Sequence, residues 1–119
     1  MSMISSSIPD DYFNVVFPLI KNAQLWFKTR STVPGQQGGD VETWVGHAEP
    51  IEVYMEPYSS AMAKKEYGLE IECQKRIFCP PDPNILQGLG VYLEDREGKP
   101  DFILESVMDW PRHLECLLK

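Results

Sequence analysis

The feature that most constrains this chain is a series of short runs in which apolar and polar residues alternate, each ended by turn residues after ten or so positions. Ile51, Val53 and Met55 alternate with Glu52 and Tyr54, and Leu69, Ile71 and Cys73 alternate with Glu70, Glu72 and Gln74. A period of two sends successive side chains to opposite faces of a strand, whereas a helix face repeats at about 3.6. A first strand is expected over Ala23–Arg30, with Leu25 and Phe27 on one face and Trp26 and Lys28 on the other. Further strands are expected at Val41–Val45, Val91–Leu93, Phe102–Met108 and His113–Leu118, and the Leu69 run extends to Phe78 with a bend at Lys75-Arg76. Cys79-Pro80-Pro81-Asp82-Pro83 has to leave the sheet, because proline cannot donate to a ladder. Glu94 to Lys99 reads as a charged hairpin turn around Gly98. Together these signals predict an all-β chain, a small β-barrel or sandwich of about five or six strands with one short helix. The helix is expected at Ser59–Tyr67, from a serine at its start, helix formers inside and Gly68 just past its end, and it would plug an open end of the sheet or cover an edge.

At 119 residues the chain is read as one domain over 1–119. Residues 1–22 are expected to be a mobile or weakly structured lead, in which a turn through Asn14 to Phe17 is ended by Pro18. Residues 31–50 are read as a long loop. Its centre, Pro34, Gly35, Gln36, Gln37, Gly38, Gly39 and Asp40, holds too many flexible residues for a regular element. Long loops in small domains often carry the working part, so this one is a candidate. The first eight residues have no basic n-region, so no signal peptide is expected, and no apolar run approaches the ~20 residues of a membrane span.

The net charge is −7, and its distribution is informative. Glu42, Glu49, Glu52 and Glu56 fall in a stretch, 41–60, with no Lys or Arg, while Lys64, Lys65, Lys75 and Arg76 make 61–79 slightly basic. Gripping phosphates takes clustered bases, so direct gripping of DNA is disfavoured. Lys64, Lys65, Lys75, Arg76 and Trp110 are candidates for a subunit or partner interface.

Catalytic constellations are weak by comparison. His47 and His113 with Cys79 or Cys116 match no zinc spacing, and His113 falls at a turn where a surface histidine is commonplace. Asp82, Asp95, Asp101 and Asp109 each sit beside turn residues, where short acids close turns. Gly35, Gly38 and Gly39 are followed by no Lys-Ser/Thr and open no helix, so they are not a phosphate loop. Trp26, Trp44 and Trp110 read as core or interface anchors, and Cys73 and Cys116 as small hydrophobes. Three cysteines with no CxxC pair read as reduced thiols. No cofactor, metal or enzymatic activity is expected.

Four segments, Tyr54-Met55-Glu56-Pro57-Tyr58, Ala63-Lys64-Lys65-Glu66-Tyr67-Gly68, Lys75-Arg76-Ile77-Phe78-Cys79 and Asp109-Trp110-Pro111-Arg112-His113-Leu114-Glu115, occur in an order that resembles a known group. It is similar to the head-closure (stopper, or head–tail joining) minor structural proteins of long-tailed bacteriophages and prophages of Gram-positive bacteria. The likeness spans roughly 50–119. Gly88-Leu89-Gly90-Val91 departs from it, standing where such proteins often have an acidic Gly-Asp strand start. The resemblance implies a small β-barrel that self-associates as a ring, a dodecamer, below the portal and its adaptor. There it would help retain packaged DNA and present a tail-docking surface. It also implies that a loop at Ser31–Pro50 projects into the channel as a gate, that DNA passes without sequence-specific binding, and that the protein moves from host cytoplasm to the virion. No membrane association is implied. Competing readings are a tail-completion or tail-terminator protein, a small thiol- or metal-dependent enzyme, and an acidic DNA mimic.

Overall fold

The computed structural model of the chain describes residues 12–34, 39–46 and 49–119. Seven strands and two helices follow in the order α1 (Phe13–Ile20), β1 (Ala23–Pro34), β2 (Asp40–Gly46), β3 (Ile51–Pro57), α2 (Ser60–Tyr67), β4 (Lys75–Cys79), β5 (Gly90–Tyr92), β6 (Phe102–Asp109) and β7 (Leu114–Leu118). Six of the strands close an antiparallel barrel in the order β1-β3-β4-β7-β6-β5, with β5 returning to pair with β1. The remaining strand, β2, pairs with β1 alone. The all-β class and the barrel are as the alternation predicts.

Closure requires curvature, and part of it comes from β6. Its register with β7 shifts between Leu104 and Ser106, a bulge that bends the strand. The N-terminal end of β6 is thereby free to pair with β5, Phe102 opposite Val91 and Ile103 opposite Gly90. The barrel is filled by the inward set of each strand, with Leu25, Phe27, Val53, Ile77, Leu104 and Leu114 all at most 2% exposed. Each such side chain contributes about 1.5–3 kcal/mol on burial. Ile85 and Leu89, from the segment between β4 and β5, join the same cluster.

Strands β4 and β7 are buried on both faces, because the helices lie on the outside of the barrel. Helix α2 starts at Ser59, whose hydroxyl accepts from the Met62 N–H at 3.2 Å. It ends at Gly68 in the left-handed region, φ 71°, a conformation glycine adopts without penalty. Ala63 and Tyr67 pack against the outward-facing Leu117, so α2 covers the wall of the barrel rather than plugging an end.

Several local expectations need correction. The segment expected to be a weakly structured lead carries a second helix, α1, with Phe13 and Phe17 buried and Pro18 inside it. The first four N–H groups of any helix lack intrahelical partners, so in a helix this short Pro18 forfeits a single bond. Docking supplies the rest, through Phe13 stacked on His113 at 4.8 Å between ring centroids. The expected loop 31–50 is largely strand: Ser31–Pro34 belongs to β1 and Asp40–Gly46 to β2, paired from Lys28↔Gly46 to Pro34↔Asp40. The expected strand Leu69–Phe78 begins only at Lys75. Leu69, Ile71 and Cys73 still pack on the α2 cluster, so their alternation records burial of an extended segment outside the ladder.

Candidate functional site: an arm and the clasp at its base

Strand β1 is twelve residues long and does two jobs. Its first half, Ala23 to Lys28, pairs with β3 and β5 inside the barrel. Its second half, Thr29 to Pro34, pairs only with β2, making a two-stranded arm of about 20 Å at 3.3 Å per residue. Lys28 is the pivot, with Gly46 of β2 on one side and Gly90 of β5 on the other. An isolated two-stranded ribbon is marginally stable in water, so the base of the arm has to be held.

The hold is built from β2, β5 and the segment after β5. Trp44 of β2 reaches across to Gly90, where a Cβ would lie 2.8 Å from the indole ring and 3.1 Å from Pro100. Only a residue without a side chain admits this contact. Beside it Tyr92 is fully buried. The Lys28 ammonium lies 4.7 Å from the Tyr92 ring centroid and donates to the Arg96 carbonyl. The Tyr92 hydroxyl donates to the Gly98 carbonyl at 2.6 Å, and burial pushes its pKa up, keeping it a donor.

Residues 93–101 are themselves fixed. Arg96 pairs with Asp101 at 2.7 Å and donates to the Lys99 carbonyl at 2.8 Å, and Asp101 also accepts from the Leu93 N–H at 2.9 Å. That backbone donor, aided by Arg96 and opposed by burial, holds the Asp101 carboxyl below its usual range. A cleft of about 520 Å³ opens between the arm and this segment, lined by Thr43, Trp44, Glu97, Gly98 and Lys99.

Of the residues expected to form a gating loop, Pro34 ends β1, Gly39 lies in a bend and Asp40 begins β2, while Gly35, Gln36, Gln37 and Gly38 lie outside the described residues. The expected interface set is divided by the fold. Lys64 and Lys65 stand in solvent on α2, and Lys75 is half-buried at the start of β4. Trp110 is half-buried and stacks on His113, with a centroid distance of 6.1 Å and an interplanar angle of 9°. Arg76 is a correction: it is 5% exposed and cannot meet a partner in this conformation.

Arg76 instead centres a buried polar network that fastens the helices to the barrel. Its guanidinium pairs with Glu56 of β3 and, at 2.9 Å, with Glu66 of α2, and donates to the Tyr67 hydroxyl at 3.0 Å. Burial alone would lower its pKa, but the bonds to Tyr67 and Glu56 carry it above the usual arginine value. Tyr67 passes its own proton toward Glu115 at 2.5 Å, and the other oxygen of Glu115 faces His113 Nε2 at 3.4 Å. His113 and Glu115 are both 0% exposed, which corrects the expectation of a surface histidine. Arg76, Tyr67, His113 and Glu115 are buried and Glu56 and Glu66 partly so, and these groups hold elements together.

Cys79 and Cys116 are buried in the barrel core, and the Cys116 thiol is pushed up by its hydrogen bond with Cys79 and by burial. Among the described residues no group of three or more His, Cys, Asp or Glu is placed to hold a metal ion. No described helix is long and apolar enough to cross a membrane. Sequence reasoning marks Trp44 only as a core or interface anchor and misses Lys28, Gly90, Tyr92 and Arg96. Gly90, between Leu89 and Val91 in a strand-like run, was the available signal, since glycine inside a strand marks a close approach. Compared with protein-family models and with curated proteins, the chain matches none.

Proposed function

We propose that this chain is a virion structural protein of the head–tail connector of a long-tailed bacteriophage or prophage. In this reading it forms a ring below the portal and adaptor, helps retain packaged DNA and offers the tail its docking surface. The observation that carries the reading is an arm set rigidly on a closed barrel. The barrel has no edges of its own to pair, so the arm is where the fold places its exposed backbone. The likeness of 50–119 to head-closure proteins supports the same assignment. The net charge of −7 suits a protein beside passing DNA, because like charges repel at short range even where salt screens them beyond ~10 Å. The reading assigns no catalytic step, and its partners are portal or adaptor and tail proteins.

Purified protein should be added to DNA-filled heads that lack tails and, separately, to isolated tails. Binding to the heads, with protection of their DNA from nuclease, is the expected result. Binding to isolated tails alone would overturn the assignment in favour of a tail-completion or tail-terminator protein.

A further inference from the structure

The chain leaves β4 at Cys79, runs through Pro80-Pro81-Asp82-Pro83 and re-enters the core at Ile85. Between this segment and Glu49 to Glu52, where β3 begins, lie two recesses of about 480 and 380 Å³. They share Glu49, Pro50, Ile51 and Asp82, and so adjoin as one groove. Its apolar lining comes from Phe17 of α1, Phe27 of β1, Ile51 and Ile85. Asp82 is held in place on its wall. Its carboxylate accepts from the Asn84 N–H at 2.9 Å and its carbonyl from the Ile85 N–H at 3.2 Å. We infer that this groove receives an arginine side chain of a partner protein.

Charge and hydrogen-bonding sense choose the occupant. The carboxylates of Glu49, Glu52 and Asp82 line the groove, and no Lys or Arg does so among the described residues except Lys21, which reaches Glu52 from outside. Glu52 is committed to Lys21 at 2.8 Å, which leaves Glu49 and the second oxygen of Asp82 for a ligand. Pro50, Pro80 and Pro81 add carbonyls to the walls but no N–H, because proline has none. The walls are therefore rich in acceptors and poor in donors. An acidic or neutral occupant would leave the carboxylates without a counter-charge. Arginine brings five N–H donors and no acceptor, and its planar fork meets a carboxylate through two parallel bonds. Its aliphatic stem can lie on the apolar lining while the charged head reaches the rim. Lysine carries the same charge as a point, without the fork. The net charge of −7 also favours the approach of a basic partner, a pull that salt weakens.

The test is an NMR titration of the isotope-labelled full chain with the peptide acetyl-Leu-Arg-Leu-amide and with its citrulline counterpart, which keeps the shape of arginine without the charge. The arginine peptide should shift the amide resonances of Glu49, Ile51, Asn84 and Ile85 in a saturable way. The citrulline peptide should bind on the order of tenfold more weakly. Glu49→Gln and Asp82→Asn should each weaken the arginine peptide by about tenfold, and Asn at 82 keeps an acceptor for the Asn84 N–H, so the wall stays in place. Equal binding of the two peptides would make the groove merely apolar and overturn the inference. So would shifts confined to the acidic run Glu94 to Glu97, which would mark unspecific attraction, or no shift up to about 10 mM peptide. Shifts at the same four amides on concentrating the protein alone would give the groove to a second copy, and would overturn it too. The inference does not rest on the connector reading, and a failed titration leaves the head-binding result untouched.

Discussion

Replacing Gly90 by alanine should destabilise the protein, and should cease to do so when Trp44 is also removed. The added methyl would sit 2.8 and 2.9 Å from two indole carbons and 3.1 Å from Pro100 Cβ. Overpacking of that kind costs about 1–3 kcal/mol. The backbone at Gly90 is not in the left-handed region, so alanine meets no conformational penalty there. It narrows the unfolded ensemble instead, which stabilises by about 0.4–1 kcal/mol. The balance is a loss of about 1 kcal/mol, within a range of roughly 0–2.6. In a Trp44→Ala background the collision with the ring is gone and only the entropic gain and the nearby Pro100 remain. Gly90→Ala should then stabilise by a few tenths of a kcal/mol, up to ~1. The measurement is urea unfolding of the four chains of the double-mutant cycle, followed by far-UV circular dichroism. A coupling energy of about 1–3 kcal/mol with a change of sign is expected. If Gly90→Ala costs the same with and without Trp44, the indole is not seated on the glycine and the account of the clasp is wrong.

Two other outcomes follow from the polar groups. Glu115→Ala strands the buried Tyr67 hydroxyl and removes the oxygen facing His113, and should cost about 3–5 kcal/mol in urea unfolding. Glu115→Gln keeps an acceptor and should cost about 1–2 kcal/mol, so equal costs would show that the Tyr67 bond is not what the carboxylate supplies. Asp101 is held below its ordinary value of 3.8, so its support of the 93–101 segment is complete above that pH and is lost as pH falls through the lower folded value. The Leu93 amide resonance should therefore shift with a midpoint below 3.8, and a midpoint at or above that value would remove the hydrogen bond from the argument.

The alternation predicted the barrel because Leu25, Phe27 and Val53 do fill it, although Lys28, on the face opposite Leu25 and Phe27, is buried as well at 8% exposed. It misplaced Leu69–Cys73 because a period of two reports which side chains are covered, not whether the backbone has a partner. Extended residues packed on α2 look the same in sequence as residues in a ladder. The opposite error occurred at Ser31–Pro34, where a following Gly-rich stretch suggested a loop while the strand ran up to Pro34 itself. Arg76 was legible as a basic residue but not as a buried one, since its partners come from two other elements, Glu56 from β3 and Glu66 and Tyr67 from α2. The clasp was illegible for the same reason. Trp44 and Gly90 are distant in sequence, and no local signal relates a tryptophan in one strand to the missing side chain in another. The candidate site therefore emerged from pairing register, with the sequence contributing the position of the turn and the acidity around it.

Barrel closure also fixes a timetable. Trp26 pairs with Tyr92, and the strand between β4 and β6 is β7, the last of the seven in the chain. The hairpin of β1 and β2, by contrast, needs only local chain and forms in microseconds once both strands exist. At 5–20 residues per second, residues 47 to 118 take on the order of 4–14 s to emerge. For the first part of that interval, on the order of 2–9 s until residue 92 is added, the nascent chain carries a ribbon with neither Gly90 to seat Trp44 nor Tyr92 to hold Lys28. Long-range strand pairing is intrinsically slow, which lengthens the wait further. A ribosome-bound chain thus displays a fluctuating hairpin well before it owns a barrel, and the arm acquires its fixed direction only as folding finishes.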